Sequence, residues 1–174
     1  MIIVGLALLS SAIGFNEEVI QEGRVLRLLI SFPDSELNAV AVHSDPALPV
    51  PLHRHFLAKA FNTRASTPST LTAVMGDFNT VFPGDHRLDL STNVPDYNID
   101  DGVGSWLAAS FGDFAALACD GYSRCGFQNR TLRSLAAIDH ILVDLPQWIS
   151  STSSLSPMPS VDPLTAGSSP TTCQ

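Results

Sequence analysis

An apolar run closes on polar residues in "TAVMGDFNT", residues 72–80, where Asp77 and Asn79 flank Phe78. Side chains alternate faces along a strand, so Asp77 and Asn79 at i and i+2 point the same way while Phe78 points back into the core. Ligands of α/β folds sit at strand ends. A carboxylate beside an amide there can hold a water with one group and a phosphoryl oxygen with the other. The plainer reading is that Asp and Asn begin a turn, as they often do. Spacing alone leaves both readings open.

Other chemistry-bearing residues are less ordered. In "AIDHILVDLP" an apolar strand carries Asp139 and is stopped by Pro146. If Asp139 faces a site, His140 faces away from it. His53 and His55 of "HRH" stand at i and i+2 of a helix, whereas a two-His metal site prefers i, i+4, so both are read as solvated. His86, between Asp85 and Arg87, reads as part of a surface ion cluster. The acidic run "DYNIDDG" lacks the spacing of an EF-hand loop. Cys119, Cys125 and Cys173 form an odd set without CxxC spacing; a Cys119–Cys125 bridge requires an oxidising compartment, and an intracellular setting is favoured over secretion.

The elements that position these residues follow from periodicity. "RVLRLLISF" (24–32) and "LNAVAVHS" (37–44) around "PDSE" predict a β-hairpin. Leu52, Phe56 and Ala60, with Leu57 and Phe61 beside them, predict a helix started by Pro51. "LTAVMGDFN" predicts a short strand, and residues 83–102 a long acidic loop. "SWLAASFGDFAALAC" has helical spacing that Gly112 weakens. Strand, strand, helix, strand, helix, strand is an α/β pattern.

Bulk properties set the limits. The 174 residues, 45% of them apolar, allow one ordinary domain with a real core. A net charge of -8 excludes a broad basic surface and disfavours a nucleic-acid partner, except locally. "MIIVGLALLSSAIGF" is too short for a comfortable membrane span; it reads either as a buried strand or as a signal core without the basic n-region. From Ser150 to Gln174 the chain is dominated by Ser, Thr and Pro, a composition that predicts disorder.

Taken together, "VMGDFNTVF" resembles the GDxN motif of the endonuclease/exonuclease/phosphatase superfamily, the DNase I-like fold, and "AIDHILVDLP" resembles its "RIDYIL" strand. "EGRVLRLLI" followed by "LNAVAVHSDP" resembles its strand pair ending in a His or Tyr near the phosphate. "FNEEVIQEGRVLRLLISF" and "GDHRLDLSTN" place the resemblance nearest the endonuclease of non-LTR retrotransposons. The resemblance covers roughly residues 15–148. It implies a partial DNase I-like α/β sandwich, an incomplete two-sheet core with flanking helices over residues 1–148, followed by a Ser/Thr/Pro-rich tail over 149–174.

The resemblance also implies roles. A divalent metal, usually Mg²⁺, would neutralise a scissile phosphate, Asp77 would position or deprotonate the attacking water, and Asn79 would orient that Asp or the phosphate. His43 would contact the phosphate and Asp139 would orient a catalytic His. The family's early metal-binding Glu and final "SDH" motif have no match; Glu17, Glu18, Glu22 and His140 are the alternatives within this chain. The implied function is a shortened Mg²⁺-dependent phosphodiesterase or endonuclease domain, weakly active or inactive. Against it stand a working phosphoesterase with substituted groups and a secreted or interaction protein.

Overall fold

The computed structural model describes residues 10–65, 67–82, 87–96, 102–117, 122–128 and 131–144. The expectations for the N-terminal apolar run up to Leu9, for the Asp85–His86 pair, for most of "DYNIDDG", for Cys119 and Cys173, and for the tail lie outside these residues.

The predicted hairpin forms from β2 (Val25–Ser31) and β3 (Glu36–His43), paired antiparallel. A preceding strand, β1 (Gly14–Gln21), adds to β2. The next strand, β4 (Thr70–Asp77), lies parallel to β3. Parallel neighbours need a crossover, and helix α1 (Val50–Phe61), with a proline in its first turn, supplies it. The sheet is completed by β10 (Asp139–Asp144) and the short β7 (Ala115–Leu117), giving the order β1-β2-β3-β4-β10-β7.

Alternation decides what faces α1. Val40 and Val42 of β3, Val74 of β4 and Leu142 of β10 pack in one core cluster with Phe56, Leu57, Ala60 and Phe61 of the helix. Phe61 is its aromatic centre: it stacks on Phe111 at 4.5 Å between centroids, meets Phe114 edge-on at 5.1 Å and lies 6.2 Å from Phe78. Contacts of these geometries add to the area that the rings bury. Leu52, expected on the buried stripe, is 56% exposed.

Three stretches differ from expectation. The helix expected over 105–119 is α2 (Val103–Ser110) alone. Phe111 leaves helical geometry ahead of Gly112, and the chain resumes as β7, where pairing with β10 satisfies its backbone groups. Within the stretch read as a long loop, β5 (Arg87–Asp89) and β6 (Val94–Asp96) pair antiparallel. They join a hairpin that was not anticipated, β8 (Arg124–Gln128) and β9 (Thr131–Ala136), in a second sheet ordered β6-β5-β9-β8. The strand read from "AAIDHILVDLP" begins only at Asp139, since Ala136 ends β9.

Candidate functional site

Register brings three of the singled-out residues to one row. His43 of β3 is the parallel partner of Asp77, and Asp139 of β10 is the antiparallel partner of Asp77. Direct partners on neighbouring strands project from the same face, with Cβ atoms about 5 Å apart across an antiparallel pair. His43 and Asp139 are exposed, and Asp77 is half-buried. Gly76, one residue before, has φ +131°, and a Cβ there would stand 2.1 Å from the Val42 carbonyl oxygen. Only glycine lets β4 approach β3 this closely at the row.

Asn79 reaches Asp77 by a different route from the one alternation suggests. The strand ends at Asp77, and Asn79 has φ +49°, in the left-handed region that Asn tolerates. The Asn79 backbone N–H donates to Asp77 Oδ1 at 2.8 Å, an Asx turn that joins the two residues. The shared strand face is therefore replaced by a turn. Asn79 Nδ2 donates to the Ser44 carbonyl at 2.7 Å, and the Ser44 N–H donates to the Asp77 carbonyl at 2.8 Å, so the ends of β3 and β4 are tied together.

Between the two polar residues, Phe78 is fully buried. Its N–H donates to the Ile138 carbonyl at 2.9 Å. Its carbonyl accepts from His53 Nε2 at 2.9 Å, which assigns the ring hydrogen to that nitrogen. His53 is only 4% exposed, which corrects its reading as a solvated helix residue. It lies on the same helical stripe as Phe56, Leu57 and Ala60, and that i, i+3, i+4, i+7 spacing was the available signal. His55 is exposed. His140 turns toward the core side, its ring 4.3 Å from Phe82 and 5.7 Å from Phe78.

The second sheet contributes as well. Arg124 Nη1 donates to Asn79 Oδ1 at 2.7 Å. Just before it, Ser123 Oγ accepts the backbone N–H groups of Ile138 and Asp139, each at 3.0 Å. No sequence pattern marked Ser44, Ser123 or Arg124. Of the glutamates considered as substitutes, Glu17 and Glu18 are elsewhere: β1 is three strands from β4, roughly 14 Å at ordinary strand spacing, and Glu18 is paired with Arg27 at 3.1 Å, whereas Glu22, in the turn after β1, lines a pocket with His43 and Gly76.

A divalent cation needs a converging set of oxygen donors. Among the described residues no group of three or more His, Cys, Asp or Glu is placed to hold one, and Asp77 Oδ1 already accepts the Asn79 N–H.

A six-stranded mixed sheet, a second four-stranded sheet and few helices, with acidic strand ends on the first sheet tied to the second through Arg124, make up a partial DNase I-like α/β fold. Solved structures are similar to it in fold. One is the endonuclease domain of TRAS1, a telomere-specific non-LTR retrotransposon, at 13% identity and TM-score 0.51 over 74% of this chain and 54% of that one. Another is the inositol polyphosphate 5-phosphatase domain of SPsynaptojanin in complex with inositol (1,4)-bisphosphate and calcium ion, at 16% identity and TM-score 0.50 over 80% of this chain and 49% of that one. The chain thus spans about half the length of the structures it matches. No protein-family model matches it, and no curated protein matches it in sequence.

Proposed function

We propose that the chain is a phosphodiester-directed domain of the endonuclease type, acting on nucleic-acid backbone with weak or no turnover. The observation that carries this reading is the single row of His43, Asp77 and Asp139 at the strand ends, with Asn79 turned back onto Asp77. In such an arrangement the free oxygen of Asp77 accepts a proton from water, and exposed His43 is available to a phosphate oxygen. The retroelement connection rests on the likeness to TRAS1.

Two features argue for slow chemistry. Both polar ends of the Asn79 amide are already engaged, by Ser44 and Arg124, so the amide braces the turn instead of meeting substrate. Among the described residues there is also no group of three or more His, Cys, Asp or Glu to fix the Mg²⁺ that would offset charge on a phosphodiester. For a working phosphoesterase in which Glu17, Glu18 or Glu22 and His140 substitute, Glu17 and Glu18 stand on a remote strand and His140 packs on Phe82, which leaves Glu22, in a pocket with His43 and Gly76, as its one candidate near the row among the described residues. Incubation of the purified protein with supercoiled plasmid in Mg²⁺ tests the reading. Nicking is expected to be slow or absent; rapid nicking that Asp77→Ala abolishes overturns the weak-activity part, and failure to bind DNA overturns the phosphodiester part.

One observation favours a second reading, an interaction protein of an oxidising compartment: Cys125 is disulfide-bonded. A denatured, unreduced sample then titrates with one free thiol out of three cysteines. Three free thiols remove this reading.

A further inference from the structure

Three of the described arginines are paired with acids. Arg24 pairs with Asp45, Arg27 with Glu18, and Arg64 with Asp113 and Asp144. Arg124 differs from these three: it is exposed, and its described partner is the neutral side-chain oxygen of Asn79. That bond uses one of the five N–H donors of a guanidinium and leaves its positive charge uncompensated by that partner. The backbone beneath is held in place. Ser123 N–H donates to the Ala136 carbonyl at 3.1 Å, Ser123 Oγ holds the N–H groups of Ile138 and Asp139, and Arg124 is the register partner of Ala136. A fixed cation therefore stands beside an otherwise acidic row.

We propose that Arg124 is the anion-anchoring residue of this site, holding a phosphodiester oxygen with its remaining N–H donors while its bond to Asn79 keeps the guanidinium aimed at the row of Asp77 and Asp139. The assignment rests on the phosphodiester reading above. It also explains how a chain of net charge -8 brings a polyanion to two carboxylates: a local cation presented by the second sheet stands in for a broad basic surface. A planar fork suits phosphate geometry, so lysine is an incomplete substitute.

The test is fluorescence-anisotropy titration of a labelled short DNA duplex with the full chain at several salt concentrations between about 50 and 200 mM. Wild type, Arg124→Gln, Arg124→Lys and the control Arg64→Ala are compared, with thermal melts of each. Arg124→Gln is expected to weaken binding several-fold and to reduce the slope of log K against log salt by about 1. Arg124→Lys keeps the slope and recovers part of the affinity; Arg64→Ala matches wild type. A merely structural Arg124 leaves the slope of Arg124→Gln unchanged, which overturns the assignment and spares the phosphodiester reading. Folded wild type that does not bind overturns both. Should Arg124→Gln not fold, the Arg124 Nε–H resonance of the wild-type protein decides: it shifts on addition of duplex, or the proposal fails.

Discussion

Asp77 of β4 and Asp139 of β10 are direct antiparallel partners, so two carboxylates face each other across one rung of the ladder. Like charges in that position destabilise a sheet. A core selected for stability alone would not keep the pair, whereas a site that gathers acids at strand ends would. Asp139→Asn, at an exposed side chain, is therefore expected to stabilise the protein by about 0.2–1 kcal/mol at neutral pH and low salt, read from urea unfolding. A loss of stability would show that Asp139 makes favourable contacts that outweigh its repulsion by Asp77.

His53 offers the opposite test. Its ring is buried and its Nε2–H satisfies the Phe78 carbonyl inside the turn between Asp77 and Asn79. His53→Ala leaves that carbonyl without its partner and opens space beside the core, a combined cost of about 2–4 kcal/mol. His55→Ala, two residues along on the exposed face, is expected to stay within about 0.5 kcal/mol of wild type. Equal effects of the two substitutions in urea melts would contradict the bracing role.

These two cases mark what the sequence discloses. The β2–β3 hairpin and α1 were legible because their apolar spacing has one dominant period, and residues at the ends of β3, β4 and β10 could be named as site candidates from type and position. The β8–β9 hairpin was not legible, since Arg124 and Gly126 interrupt its alternation and a register shift follows Gly126. The end of α2 was misjudged because Phe111 and Phe114 keep helical spacing while packing on Phe61 from a turn. The bond from Arg124 to Asn79 spans 45 residues and two sheets, and no local pattern encodes such a contact.

Acid should act on one surface group away from the site. A hydrogen bond from Arg64, reinforced by its charge, holds the Asp113 carboxyl below the usual aspartate range. A group whose pKa is lower folded than unfolded adds stability above the unfolded value, about 3.9, and loses it as pH falls through the folded value. Asp113→Asn is thus expected to lower the melting temperature at pH 7 in low salt, with the gap to wild type closing toward about pH 2. Both side chains are well exposed, so added salt should shrink the gap as well. A gap that persists unchanged at the acid end would assign the effect to packing instead of charge.

Gly76 gives the sharpest test of how the row is built. Its φ of +131° is a conformation that side-chain-bearing residues rarely adopt, and an added Cβ would stand 2.1 Å from Val42 O, 3.1 Å from Val42 C and 3.2 Å from Val42 N. Those are backbone atoms in the parallel β3–β4 pairing, so no side-chain rotation relieves the overlap and the strands must separate. Separation would move Asp77 away from His43 and loosen the Ser44–Asp77 and Ser44–Asn79 hydrogen bonds. Gly76→Ala is therefore expected to cost at least about 4 kcal/mol and to appear as a collapse of soluble yield or of the urea midpoint. Gly14→Ala is the control, since nothing lies within 4 Å of a Cβ at that position, and its midpoint should match wild type. A Gly76→Ala protein that folds with wild-type stability would show that β3 and β4 are not so closely apposed, and the geometry assigned to His43 and Asp77 would fall with it.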